Sequence, residues 1–136
     1  MNKLSEIKFK NKLYAIVIRS GFGQEGVNFV TSKKRSLQVG VLVHKKNITL
    51  RPHIHRRLTR KLNNTQEVLY VVYGRVEVSF YNVKRKLGSV IIGKNDAIVI
   101  ISGGHGFNML EDSKIIEVKQ GPYVCSEKDK KFIDLK

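Results

Sequence analysis

Two of the four histidines stand one residue apart in "RPHIHRR", at His53 and His55. In an extended strand alternate side chains share a face, so the two imidazoles would project together, roughly 6–7 Å apart at Cα. That separation lets both converge on one ion at about 2.0–2.1 Å per bond. A carboxylate and a third imidazole would complete a mixed nitrogen and oxygen set. Such a set suits Fe(II), Mn(II), Ni(II), Zn(II) or Cu(II) rather than a thiolate-preferring ion. Glu67, at the head of the otherwise apolar "EVLYVVYG", and His105, in "GGHGF", are the candidates. Taken singly, each of these residues reads first as a surface or turn residue. Taken together, three of the four histidines and one glutamate fall where strands of a β-barrel can gather them.

Other residues could act beside such a centre. Arg51 shares the alternation of His53 and His55 and is a candidate for substrate contact. The eleven residues "RRLTRKLNNTQ" between His55 and Glu67 hold four basic side chains and no acid, Arg60 among them. Folded over a site they would attract phosphate, carboxylate or a nucleotide-sugar, which arginine grips through two parallel bonds. Left in solvent they are an ordinary basic loop. Lys119 shares parity with Glu117 in "IIEVKQ". Facing inward it would carry a lowered pKa and do acid–base work, and facing outward the pair would be surface charges. Tyr123 offers a phenolic hydrogen bond. Lys119 and Tyr123 are thus the catalytic candidates, and Arg51 and Arg60 the substrate-binding ones.

The elements that must carry these residues have a period of two. "KLYAIVIR" (12–19), "SLQVGVLVH" (36–44), "EVLYVVYG" (67–74), "RVEVSFYN" (75–82), "SVIIG" (89–93), "AIVIIS" (97–102) and "KIIEVKQ" (114–120) are short, β-branched or aromatic segments. They are separated by turn chemistry at "KKN", "YGR", "GKND" and "SGGHG". Strands at this spacing predict an all-β sandwich or closed barrel. Near the end, "SEKDKKFIDLK" offers Ser126 as an N-cap with Asp129 three residues on, which predicts one short helix. No repeat or linker interrupts residues 1–136, so a single domain is expected.

The totals exclude several classes. The longest aliphatic run, "AIVII" from Ala97 to Ile101, is far too short to span a bilayer, and the first ten residues lack the apolar centre of a signal peptide. One cysteine, Cys125, allows no intrachain disulfide and no all-cysteine metal site. A cytoplasmic protein without a membrane partner is expected. The net charge of +15 is spread from Lys3 to Lys136, with no recognition helix, zinc-finger spacing or aromatic-basic RNA signature, so nucleic acid ranks last among partners.

The chain resembles the cupin superfamily. Its first motif has the form G-x5-H-x-H-x3,4-E-x6-G, represented here by "HIH" and by Glu67 with Gly74 seven positions on, with eleven residues, Arg56 to Gln66, where the motif has three or four. The second, G-x5-P-x-G-x2-H-x3-N, is represented by "GKNDAIVIISGGHGFN". Asn47 stands where the first motif has its leading glycine, Ile100 stands where the second has proline, and Asn108 comes one position early. "TQEVLYV", "GGHGF" and "EVKQGPY" give the chain the texture of small single-domain cupin metalloproteins, some associated with surface-polysaccharide and deoxysugar biosynthesis. The resemblance implies a jelly-roll β-barrel with its core at about 38–119, and one divalent transition metal held by His53, His55, Glu67 and His105. It implies an anionic small-molecule ligand such as a sugar or nucleotide-sugar derivative. The metal would serve isomerisation or epimerisation as a Lewis acid, or oxygenation as a redox centre. A non-catalytic binding or sensing module is the alternative. A homodimer is expected, with the apolar "LYAIVI" strand available for exchange or for the interface.

Overall fold

The first hairpin of the chain turns on two residues that both adopt left-handed backbone. Lys10 (φ 48°) and Asn11 (φ 62°) join β1 (Leu4–Phe9) to β2 (Lys12–Ile18), the two-residue turn that matches the twist of antiparallel strands. The computed structural model describes residues 2–135. The strands that follow are β3 (Gly26–Phe29), β4 (Gly40–Val43), β5 (Glu67–Tyr73), β6 (Arg75–Tyr81), β7 (Lys86–Gly93), β8 (Ala97–Ile100), β9 (Gly104–Met109) and β10 (Lys114–Lys119). A single helical turn, α1 (Ser126–Asp129), comes last. The protein is all-β, as its alternation predicts. The short terminal helix is present too, although Cys125 rather than Ser126 occupies the N-cap position.

These elements form two compact units, residues 2–22 with 65–135, and residues 23–64. In the first unit a five-stranded antiparallel sheet has the order β1-β2-β8-β5-β10, and a three-stranded one the order β7-β6-β9. The sheets pack face to face through one apolar cluster. Ala15, Val17, Leu69, Val71, Ile98 and Ile100 come from the larger sheet, and Val76, Val78, Phe80 and Ile92 from the smaller. The edge-to-face stacking of Phe9 on Tyr14 adds to it, with ring centres 5.2 Å apart. Residues Tyr14 to Ile18 are all buried, which explains why "YAIVI" is continuously apolar rather than alternating. This strand, expected to be available for exchange or for an interface, lies between β1 and β8 rather than at a sheet edge. The edges of the larger sheet are β1 and β10.

Two turns fix the frame. Gly74 (φ 97°) links β5 to β6 and lies so close to Ser113 and the carbonyl of Asp112 that a Cβ there would collide. At the β7–β8 turn the buried Asp96 carboxylate accepts hydrogen bonds from Arg19 Nη1 (2.9 Å), the Ser20 amide (3.0 Å) and the Gly93 amide (3.0 Å). That carboxylate ties the end of β2 to the start of β8.

In the second unit, β3 pairs with β4 antiparallel, from Gly26 opposite Val43 to Phe29 opposite Gly40. The Asn28 side chain braces this hairpin by donating to the carbonyls of Gln24 (2.7 Å) and Val41 (3.1 Å). Residues 44–64 then run without helix or strand. The expected strand under His53 and His55 is thus not formed. The segment contains Pro52, which lacks an N–H to donate, and its apolar Ile54 is 93% exposed, so the alternation has no face to bury.

Candidate functional site

Glu67 opens β5 on the inward parity of Leu69 and Val71, and is itself buried. It is held there by register, opposite Ile100 of β8 on one side and Lys119 of β10 on the other. Just before it, the Gln66 amide donates to Gln120 Oε1 at 2.8 Å, anchoring the start of the strand. His105 lies on β9, opposite Phe80 of β6. The two facing sheets thereby bring together a glutamate and a histidine far apart in the chain. His105 Nε2 stands 2.6 Å from Glu67 Oε1. That contact lacks the alignment of a hydrogen bond, and the buried Oε1 has no hydrogen-bond partner.

Other charged groups surround the pair. Burial pushes the Glu67 carboxyl up, but His105, a hydrogen bond from Glu117 and the charge of Lys119 outweigh it and hold the group at about 2. Glu117 moves the opposite way, raised first by its hydrogen bond to Glu67 and then by burial and the Glu67 charge. The two carboxyls thus shift apart, Glu67 downward and Glu117 upward. Lys119 is raised by its hydrogen bond to Asp129 and by the charges of Asp129, Glu117 and Glu67, which outweigh the opposing effect of burial. Lys119 is accordingly a firm cation. The lowered value expected of an acid–base lysine is not what this environment produces, because a carboxylate stands 3.2 Å from Nζ.

Glu67, His105, Glu117 and Lys119 line a cavity of about 570 Å³ in the first unit, a size usual for small-molecule sites. Tyr81 and Phe107 line it too, and a further wall comes from the segment after β10, notably Asp129, Lys130 and Ile133. Sequence reasoning missed this wall, reading "DKKFIDL" only as the tail of a helix. The apolar Phe132, Ile133 and Leu135 amid charges were the available signal. His105 was read as part of a turn because three glycines surround it. The turn ends at Gly103 (φ 77°), and β9 begins at Gly104, where Ile133 packs so closely that a Cβ would collide.

The other candidates lie elsewhere. Tyr123 is exposed, with Lys119 Nζ 5.4 Å from its ring centre. In the second unit His53 and His55 are exposed, with ring centres 5.1 Å apart, and His53 Nδ1 lies 3.0 Å from the Arg51 carbonyl. Arg51 and Arg60 are exposed as well, Arg60 lining a concavity with His55, Arg56, Arg57 and Leu58. Among the described residues, no three histidine, cysteine, aspartate or glutamate side chains gather as a metal-binding group. No helix among them is long and apolar enough to cross a membrane.

The fold and this cavity define an all-β protein with a carboxylate–imidazole pair inside a pocket. No protein-family profile, curated protein or solved structure matches the chain.

Proposed function

We propose that this chain is a metal-dependent cupin, a jelly-roll barrel that binds an anionic sugar or nucleotide-sugar derivative in the cavity of its first unit. The observation that carries the reading is Glu67 Oε1, a buried carboxylate oxygen without a hydrogen-bond partner, beside His105 Nε2. A buried polar atom left unpartnered is costly, and a cation is the natural partner for one on a carboxylate. One hard oxygen and one imidazole nitrogen fit half of the donor set of Fe(II), Mn(II), Ni(II), Zn(II) or Cu(II). When bound, such an ion supplies Lewis-acid or redox chemistry. The chain's own residues do the rest. Lys119 and Lys130 give the cavity wall positive charge for an anionic ligand, and Glu117 stands beside Glu67 with its carboxyl shifted upward. The apolar side chains of Phe107 and Ile133 displace water from the same space.

A second reading rests on the 2.6 Å separation of Nε2 and Oε1. A carboxylate that close orients an imidazole, the arrangement of a histidine general base. The cavity would then act on its ligand by proton transfer at His105 alone.

Elemental analysis of the purified protein decides between them. The metal reading expects near-stoichiometric binding of one of these ions, retained in wild type and lost in Glu67→Gln and His105→Ala. The His53→Ala variant, measured alongside, tests the ligand role the cupin resemblance gives that histidine. Wild-type protein that takes up no ion after supplementation refutes the metal reading and leaves proton transfer.

A further inference from the structure

The cavity's best-placed cation is already occupied by the chain itself. Lys119 Nζ, at the end of β10 and opposite Glu67 in register, pairs with Asp129 Oδ2 at 3.2 Å. Asp129 is the last residue of α1, a turn held by the Asp129 amide donating to the Cys125 carbonyl (3.0 Å) and the Lys130 amide to that of Ser126 (2.8 Å). Beyond it the chain runs along the cavity, where Lys130, Lys131 and Ile133 contribute to the wall. Ile133 closes on Gly104, next to His105, in a gap that only glycine leaves open. The segment 126–135 is therefore fastened at two points, an ion pair at Lys119 and an apolar contact at Gly104. Only the first involves a group that an anionic ligand would also seek.

We infer that Lys119 is the anion-docking residue of the cavity, selecting ligands that bear a carboxylate or phosphate group, and that Asp129 is its tethered stand-in. A ligand anion takes the place of the Asp129 carboxylate on Nζ and frees the segment behind it. The geometry suits this exchange. The pair is about one-fifth exposed on each side, so solvent and solutes reach it, and a partly screened ion pair of this kind holds only weakly. Tyr123 beneath the ammonium keeps Nζ in place when its carboxylate leaves. Lys130 and Lys131, released beside the docked anion, add charge of the right sign. The inference deepens the proposed function and rests on its assignment of the cavity as the ligand site.

Amide hydrogen exchange of the 126–135 segment, followed by mass spectrometry on chelator-treated protein, tests it with inorganic phosphate as the probe. Lys119→Met is expected to speed exchange there by about threefold, the scale of a weak ion pair, and Lys119→Arg to leave it near wild type. Phosphate at millimolar concentration is expected to speed exchange in wild type but not in Lys119→Met, beyond sodium chloride of equal ionic strength. Equal exchange in wild type and Lys119→Met, or equal effects of phosphate and chloride, would overturn the inference. Because no metal is present in these samples, the result stands apart from the metal content of the same preparations. A protein that binds no ion yet shows the phosphate effect loses the metal reading and keeps this one, and the reverse outcome does the opposite.

Discussion

Residues 67–109 and residues 44–64 carry two histidine-bearing stretches of the same chain, and they are built in opposite ways. In the first, five strands bury an apolar set, and His105 is placed by its register against Phe80. In the second there is no regular structure, and Ile54 and Leu58 are 93% and 65% exposed. Seven basic residues and no acid stand between His44 and Asn64. The two histidines there have each other and a backbone carbonyl as neighbours. A pair of residues in a suggestive spacing acquires geometry only when the flanking side chains have a face to bury. Around Glu67 they do, and around His53 they do not.

The contrast predicts a graded set of responses. Phe80→Ala should lower stability by about 3–5 kcal/mol in denaturant unfolding, because Phe80 is fully buried in the shared cluster. Ile54→Ala should change it by less than about 0.5 kcal/mol. Equal losses would mean that 44–64 is packed after all. Next come positions of left-handed backbone. Gly74→Ala, at φ 97° and against Ser113, should cost about 2–3 kcal/mol. Asn47→Gly, at φ 70° in the other stretch, should be neutral within about 0.5 kcal/mol, since glycine accepts that conformation.

A smaller effect should follow acid. Glu67 titrates near 2 in the folded protein against an ordinary 4.5, so its ionised form favours folding. That stabilisation is complete above pH 4.5 and is lost as pH falls towards 2. Glu117 is raised and works in the opposite sense, losing its contribution as pH rises, which limits the net effect of the pair. Glu67→Gln should therefore flatten the acid limb of the stability curve by on the order of 1–2 kcal/mol. An acid limb identical to wild type would show that the carboxylate is not held by His105 and Glu117. The smallest change is expected from Arg56→Ala and Arg57→Ala, which should leave the unfolding midpoint within about 0.5 kcal/mol of wild type.

The legible parts of the fold are those whose signal is local. β2, β5, β6, β8 and β10 are runs of branched and aromatic residues, and the sequence marks each within a residue or two. β1 was missed because "LSEIKF" alternates weakly, and β3 because "GVNF" is only four residues long. β9 was hidden by its glycines, which tertiary neighbours require and turn chemistry only imitates. Glu67 and His105 were legible as candidates, and their contact depends on two sheets meeting, which no local pattern encodes. The role of Asp129 and Ile133 as cavity wall was illegible for the same reason. Their partners, Lys119 and Gly104, lie ten and twenty-nine positions away.

The partners Glu67 and His105 belong to different sheets, with no hydrogen-bonded ladder running from one to the other. Each strand can form within its own sheet while the pair is still apart. The contact therefore reports the docking of the two sheets, a non-local event, rather than the formation of either sheet. The imidazole of His105 is thus a built-in clock hand for that event. Its nuclear magnetic resonance signal is expected to follow sheet docking, so any species with strands but no docked sheets would carry the histidine signal of a free chain.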